Sequence, residues 1–383
     1  ASGEGPLSSS PEQQQSLGAW YHEMSAPPAW VDWDQLARGQ NVFIANSPAA
    51  GLSLYYLSLV GGFSAPLITR VLRATAYLTA PPKQVLRRLV DTGAMITACV
   101  SGGAEALQPG GAGWTACLQV RVLHAKVRQR LRNKAYWRQD AWGVPINQED
   151  LAATLLAFSY NVLVGIEFVT GAPLPSQEQE DYLALWRYIG WLLGVDSGGV
   201  GKLDPCISVR RAKATLESVV MHLLCPDRHS VAVAHHLLAA PGEGFLDGFG
   251  FRAVLCRRFL GDPLADALKL PTPAVNTWGA LAAWGSSAVK LLMIRVYLRV
   301  GRLSCCRRLQ MAAHRLVIRL FHSHWSVAPR PLPAGERLGA LRGPSTGGCP
   351  FELVSPPLAL FSDTETTIMT SQRAPTCRRK GKE

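Results

Sequence analysis

The most informative segment of the chain is TACLQVRVLHAKVRQRLRNK, residues 115–134, with His124 near its centre. Apolar residues recur through it at helical spacing, which predicts one long α-helix. Arg121 lies three residues before His124 and Arg128 lies four residues after it, so the three side chains share one helical face. The sequence therefore predicts a helix that presents one imidazole between two guanidinium groups.

The pattern is helical on both sides of this stretch. Residues 83–100 place Val85, Leu89, Thr92 and Ile96 on one face, as in a half-buried helix. GGAG at 110–113 predicts the loop that separates this helix from the His124 helix.

Downstream, Gly143-Val144-Pro145 predicts a turn, and Asn147 predicts a helix cap with Asp150 as its partner three residues on. The helix that follows, over 151–169, is apolar nearly all round, which predicts a central buried element. SQEQED then opens a further helix, and no convincing alternating strand occurs. The chain is therefore predicted to be all-α.

Composition supports one sizeable folded unit. The chain has 383 residues, of which 48% are hydrophobic and only 17% are charged, so much of the helical surface should be buried. We predict a disordered lead-in over 1–27, a helical domain over 28–325 and a low-complexity basic tail over 326–383.

The cysteines favour a reducing, intracellular compartment. There are nine, an odd number, and none forms a C-x-x-C pair. Neither a disulfide framework nor a zinc site is expected from this pattern.

The positive charge is concentrated in one region. The net charge is +12, and ten basic residues but no acidic one lie between Asp266 and Glu336. A local excess points to a local partner, so no nucleic-acid partner is expected. Residues 284–325 combine an apolar pattern with a basic stripe, which suits peripheral docking on an anionic membrane surface. The alternative is a core-packed region, split at Gly301, whose arginines are solvated or paired elsewhere in the fold.

His124 and its neighbours suit one kind of cofactor. A haem needs an axial imidazole for its iron and cationic groups to pair with its propionates. One histidine between two arginines supplies both. The alternative is a histidine that is merely solvated or hydrogen-bonded in a basic amphipathic helix.

A family resemblance is carried by several motifs in order. VRVLHAKVR at 120–128 is preceded by RRLVDT at 87–92 and GGAGW at 110–114, and followed by WGVPINQEDLAATLLAF at 142–158 and LWRYIGWLLGVD at 185–196. Together they resemble the rubber oxygenase catalytic domain family, which includes latex clearing proteins and an ER-bound oxygenase of the mycophenolic acid pathway. The resemblance implies a globin-like multi-helix domain that binds haem b and uses O₂ on a hydrophobic small molecule or polyisoprenoid.

The resemblance also implies roles for individual residues. The family's proximal iron ligand falls on His124, and the cofactor-binding arginines that flank it fall on Arg121 and Arg128. The family's R-x-x-x-T element falls on Arg88 and Thr92, which would face the haem pocket as catalytic residues.

A cofactor-binding threonine of the family falls on Thr154. For the threonines, the alternative is a hydroxyl that bonds back to the preceding helical turn. For Arg88, the alternative is simple neutralisation of Asp91.

One departure from the family bears on activity. In latex clearing proteins the residue before the matching threonine is a lysine, and a glutamate further upstream is the proposed base. Here that position is Asp91, and residues 24–104 contain no glutamate. The departure favours a second hypothesis, a non-catalytic haem-binding or lipid-binding protein on the same scaffold.

Overall fold

A computed structural model describes residues 19–75, 82–196, 204–242, 248–272 and 278–324. Within these ranges the regular structure is helical and no strand occurs, so the all-α prediction is confirmed. The longer helices and their short companions follow in chain order: α1 (Trp33–Ala45), α2 (Ser47–Leu52), α3 (Pro66–Ala74), α4 (Pro82–Val100), α5 (Ala112–Arg132), α6 (Gln139–Trp142), α7 (Gln148–Phe158), α8 (Tyr160–Thr170), α9 (Ser176–Leu193), α10 (Val209–His222), α11 (Arg228–Ala239), α12 (Phe249–Leu260), α13 (Asp262–Ala267), α14 (Trp278–Gly301) and α15 (Ser304–His324).

Two irregular helical pieces join these elements. A π-helical segment, Ser53–Val60, continues α2 without a break, and a 3₁₀ turn, Ala104–Leu107, lies between α4 and α5. Leu107 in this turn is fully buried, and its carbonyl oxygen accepts a hydrogen bond of 3.2 Å from the Tyr188 hydroxyl. The α4–α5 connection is therefore anchored to the core.

The main core is centred on α9, which packs against α1 and α5. Tyr182, Trp186 and Tyr188 of α9 are almost completely buried. The α1–α9 crossing is close at Gly39, where a Cβ atom would collide with the carbonyl oxygen of Asp181. A side chain at this position would force the two helices apart.

The helix predicted over 151–169 is present as two helices. The capping box at its start is confirmed, because the Asn147 side chain accepts from the Asp150 amide and the Asp150 carboxylate accepts from the Asn147 amide. The helical path breaks at the buried Ser159, between α7 and α8. The Ser159 hydroxyl donates to the Leu155 carbonyl oxygen at 2.8 Å, and a side chain that bonds back in this way commonly bends a helix.

Part of the predicted lead-in is ordered. Residues 19–25 form a short helix, Met24 is buried, and the Trp114 indole donates to the Met24 carbonyl oxygen at 3.1 Å. The prediction of disorder over 1–27 is therefore wrong for these residues, because contacts with α5 hold them. Residues 1–18 and the predicted tail over 326–383 lie outside the described residues.

One stretch of the described chain is long and apolar enough to cross a membrane. It is Gln148–Thr170, which comprises α7 and α8, and 56% of its most apolar window is buried inside the fold. The bent pair Trp33–Ala45 and Ser47–Val60 would pass the same test only if the two pieces formed one span. A core helix of this composition passes the test as readily as a membrane span does.

Candidate functional site

The helices α4 and α5 form an antiparallel hairpin whose register is set by two buried cysteines. The sulfur atoms of Cys99 and Cys117 lie 3.5 Å apart, and both side chains are fully buried. Close packing at Gly113 keeps the two backbones together, since a Cβ atom there would lie 2.9 Å from the Cys99 Cα atom. Positions along α4 and α5 can therefore be counted from this contact.

Predicted site residues on the two helices lie at equal sequence distances from this cysteine contact. Thr92 lies seven residues before Cys99 and His124 lies seven after Cys117, so both are two turns, or about 10 Å, along the same faces of their helices. Arg88 and Arg128 are one turn further on. From this spacing we expect both parts of the predicted site to lie in the seam between α4 and α5.

His124 lies between two hydrophobic clusters. The N-terminal part of α5 contributes Trp114, Cys117 and Leu118 to the main core. The C-terminal part contributes Val127 and Leu131 to a smaller cluster, whose other buried members are Val71 and Trp137. Residues 119–126 contribute no buried side chain to either cluster. The middle of α5 is therefore half-buried, with apolar surfaces on both sides.

The imidazole of His124 is held neutral. Burial, reinforced by the positive charge of Arg128, lowers its pKa from 6.5 to about 4. Its Nδ1 atom is buried and has no hydrogen-bond partner among the described residues. A buried polar atom without a partner costs roughly 1–3 kcal/mol, and a ligand bond to a metal ion would compensate for that cost.

The Arg121 side chain extends from α5 to the C-terminal end of α9. Its Nη1 atom donates to the carbonyl oxygens of Trp191 at 3.2 Å and Leu192 at 3.4 Å, and contacts the Met24 sulfur. Burial lowers its pKa, while the nearby Glu23 carboxylate opposes that shift. Arg121 also lines a cavity of about 380 Å³ whose wall includes Trp30.

Arg128 holds the turn that precedes α7. Its Nη2 atom donates to the Ile146 carbonyl oxygen at 2.6 Å, and its Nε atom contacts the same oxygen and that of Pro145. Ile146 has a φ of +54°, which costs a branched residue energy, and the arginine stabilises that conformation.

The two arginines keep their charge available to a ligand. Neither guanidinium forms an ion pair with an acidic side chain of the described residues. Each has five N–H donors, so carbonyl contacts still leave donors for a carboxylate. The donor set therefore fits a haem: one neutral imidazole for the iron and two cations for the propionates.

Both predicted threonines bond to their own helices. The Thr92 hydroxyl donates to the Arg88 carbonyl oxygen at 3.0 Å, and the Thr154 hydroxyl donates to the Asp150 carbonyl oxygen at 2.7 Å. Thr92 is half-buried on α4, whereas Thr154 is exposed on α7. With their protons engaged, both hydroxyls can act toward a ligand chiefly as acceptors.

Two carboxylates near the site are perturbed by burial. Burial raises the pKa of Asp91, against the opposing effect of Arg88 and Arg87. Burial also raises the pKa of Asp150 to about 6, although the Asn147 amide hydrogen bond opposes the shift. Sequence reasoning treated Asp150 only as a capping residue, and no sequence pattern signals that it is buried near Arg128. Among the described residues, no group of three or more His, Cys, Asp or Glu side chains could hold a metal ion.

Comparison with known proteins agrees with this architecture. The family model described as "ER-bound oxygenase mpaB/B'/Rubber oxygenase, catalytic domain" matches residues 42–289, about two thirds of the chain. A solved structure, "Structure of Latex Clearing Protein LCP in the closed state", is similar with a TM-score of 0.55 and 18% identity, over 80% of this chain and 79% of that one. At this identity the likeness shows the fold alone. A search of curated proteins found no match. On the family match, the chain belongs to the ER-bound oxygenase mpaB/B'/rubber oxygenase catalytic domain family.

Proposed function

We propose that this protein is a haem b-dependent oxygenase that uses O₂ on an apolar, unsaturated substrate of isoprenoid or lipid-like type. The observation that carries the proposal is the neutral imidazole of His124, whose Nδ1 atom is buried without a hydrogen-bond partner among the described residues, on the same helix as two arginines that form no ion pair with a described residue. Membership of an oxygenase family supports the reaction class.

Each residue has a definite task in this proposal. His124 would hold the haem iron, and its low pKa keeps the nitrogen lone pair available even in mildly acidic solution. Arg121 and Arg128 would pair with the propionates, each steadied by its carbonyl contacts. When bound, the haem supplies the binding and reduction chemistry of O₂.

The residues of α4 would shape the opposite side of the seam. The Thr92 hydroxyl offers acceptor lone pairs because its proton is donated to the Arg88 carbonyl oxygen. The Arg88 guanidinium carries a positive charge into a half-buried position, where electrostatic effects are stronger than in water. The apolar clusters on either side of His124 would exclude water and favour an apolar substrate.

The visible absorption spectrum of the purified protein tests the cofactor. We expect a Soret band that is mostly lost in His124→Ala and retained in His222→Ala, a matched control at an exposed position. Circular dichroism of both variants checks that the helices persist. Full retention of the Soret band in folded His124→Ala would refute the assignment.

The second candidate is a non-catalytic haem-binding or lipid-binding protein on the same scaffold. The observation that favours it is Asp91, a half-buried acid at the position where latex clearing proteins carry a lysine. Oxygen uptake by the haem-loaded protein with isoprenoid lipids separates the two. Uptake with carbonyl products supports the oxygenase, and an intact Soret band without uptake supports the second candidate. We expect polyisoprene itself to be cleaved poorly, and products from latex at the rates of latex clearing proteins would contradict that expectation.

A further inference from the structure

The last two described helices and the turn between them carry most of the exposed large apolar side chains among the described residues. Of the twenty exposed large apolar side chains among the described residues, twelve lie between Trp284 and Leu320. Single exposed apolar residues are ordinary, but a concentration of this kind marks an interaction surface. The members of this apolar face are Trp284, Val289, Leu292, Met293, Val296, Tyr297, Val300, Leu303, Leu309, Leu316, Val317 and Leu320.

On α15 the exposed residues form one stripe. Leu309, Leu316 and Leu320 are 76%, 56% and 56% exposed, and their spacing of seven and four residues places them on one side of the helix. The opposite side holds the helix to the fold. There the His314 Nδ1 atom hydrogen-bonds to the Ile44 carbonyl oxygen at 2.8 Å, and the Gln310 amide donates to the Tyr297 carbonyl oxygen at 3.0 Å.

On α14 the pattern repeats. Val289, Met293, Val296 and Val300 are exposed at intervals of four, three and four residues, while Leu298 on the other side is buried. Thus α14 has one apolar side in the core and another facing outward, whereas α15 is held to the fold by the buried polar side chains Gln310 and His314 and turns its apolar stripe outward.

The charges that α14 and α15 themselves carry are all positive. Arg308, Arg315 and Arg319 share the side of α15 next to the leucine stripe, because they too are spaced by seven and four residues. No acidic residue occurs from 267 to 335. An apolar stripe edged by arginines matches the boundary between anionic headgroups and acyl chains, where long cationic side chains reach back to the phosphates.

Not every arginine of the region is available for docking. The Arg295 Nε atom donates to the Val169 carbonyl oxygen at 2.8 Å, and the Arg299 Nη2 atom donates to the Thr170 carbonyl oxygen at 3.1 Å. These two therefore stabilise the C-terminus of α8. In contrast, the side chains of Arg302, Arg308 and Arg319 form no hydrogen bond or ion pair with any described residue.

We infer that the outward face of α14 and α15 docks on an anionic membrane surface, with its apolar side chains in the interface and its unengaged arginines at the headgroups. The positive charge of this face favours anionic lipid over a second copy of the chain. A second copy of the chain would bring two surfaces of the same sign together, which opposes association. Anionic lipid offers both negative charge and an apolar layer.

Vesicle flotation of the full chain tests the inference, with pure phosphatidylcholine compared with an equimolar mixture of phosphatidylcholine and phosphatidylserine. We expect binding to the anionic vesicles that weakens as salt rises, since the screening length falls from about 10 Å at 0.1 M to about 3 Å at 1 M. The triple variant R302Q/R308Q/R319Q should bind about a hundredfold more weakly, because each basic residue near such a surface contributes about fivefold. The matched control R130Q/R132Q/K134Q removes three exposed positive charges near the end of α5 and should bind as the wild type does.

A second variant tests the apolar part. L316Q/L320Q replaces two exposed leucines, so its melting temperature should match the wild type while its flotation decreases. Flotation that does not depend on lipid charge, or an equal loss of vesicle binding in the two triple variants, would overturn the inference. So would concentration-dependent self-association in analytical ultracentrifugation that L316Q/L320Q abolishes, since the face would then bind a second copy.

Discussion

The substitution Gly113→Ala tests whether the α4–α5 seam is set by backbone packing. A Cβ atom at this position would lie 2.8 Å from the Ala98 carbonyl oxygen, 2.9 Å from the Cys99 Cα atom and 3.0 Å from the Ala106 carbonyl oxygen. All three neighbours are backbone atoms, so no side-chain rotation can relieve the overlap. The hairpin must open instead, and its register contact at Cys117 must shift with it.

The expected magnitude follows from two opposing effects. Overpacking of this kind costs about 1–3 kcal/mol, whereas replacing glycine by alanine in a helix gains about 0.5–1 kcal/mol. The net destabilisation should be about 1–2 kcal/mol, and each kcal/mol lowers the melting temperature of a domain of this size by about 2–4 °C. The matched control is Gly285→Ala, in α14, where a Cβ atom meets nothing within 4 Å. That substitution should be neutral or stabilising.

Thermal unfolding followed by circular dichroism, with haem titration of each variant, is the assay. Because His124 lies two turns from Cys117, we expect Gly113→Ala to weaken haem binding as well, while Gly285→Ala leaves it unchanged. A melting temperature of Gly113→Ala at or above that of the wild type would refute the packing argument. Lowered stability with undiminished haem affinity would refute the link between hairpin register and site.

Two further predictions concern stability. R295Q/R299Q should destabilise the protein by about 2–3 kcal/mol in urea unfolding, because the guanidinium bonds to the α8 carbonyl oxygens are lost, whereas R308Q/R319Q should unfold like the wild type. Asp150 has a folded pKa raised from 3.8 to about 6, so the stability it contributes is present below pH 4 and is lost as pH rises through 6. Asp150→Asn should therefore be more stable than the wild type above pH 6, by up to about 3 kcal/mol, and should lose that advantage below pH 4. An advantage that does not change with pH would contradict the buried-carboxylate explanation.

Much of the helical structure could be predicted because its causes are local. The spacing of Arg121, His124 and Arg128 places them on one face of any helix, and the Asn147–Asp150 capping box involves residues three positions apart. The motif order also indicated the family, which the match over residues 42–289 confirmed. In contrast, the break at Ser159 could not be seen in a stretch that is apolar nearly all round.

Most of the helices, and the residues that share a face on each, can be inferred from the chain alone, since both follow from a period of 3.6 residues. The partners that each helical face contacts depend instead on how the helices pack together. Met24 is ordered by Trp114, ninety positions away, and Arg121 donates to Trp191, seventy positions away. The buried contact between Cys99 and Cys117 joins α4 to α5 across eighteen positions of the chain. Contacts between distant residues leave no periodic pattern in the chain, because they depend on how whole helices pack and not on the spacing within any one of them.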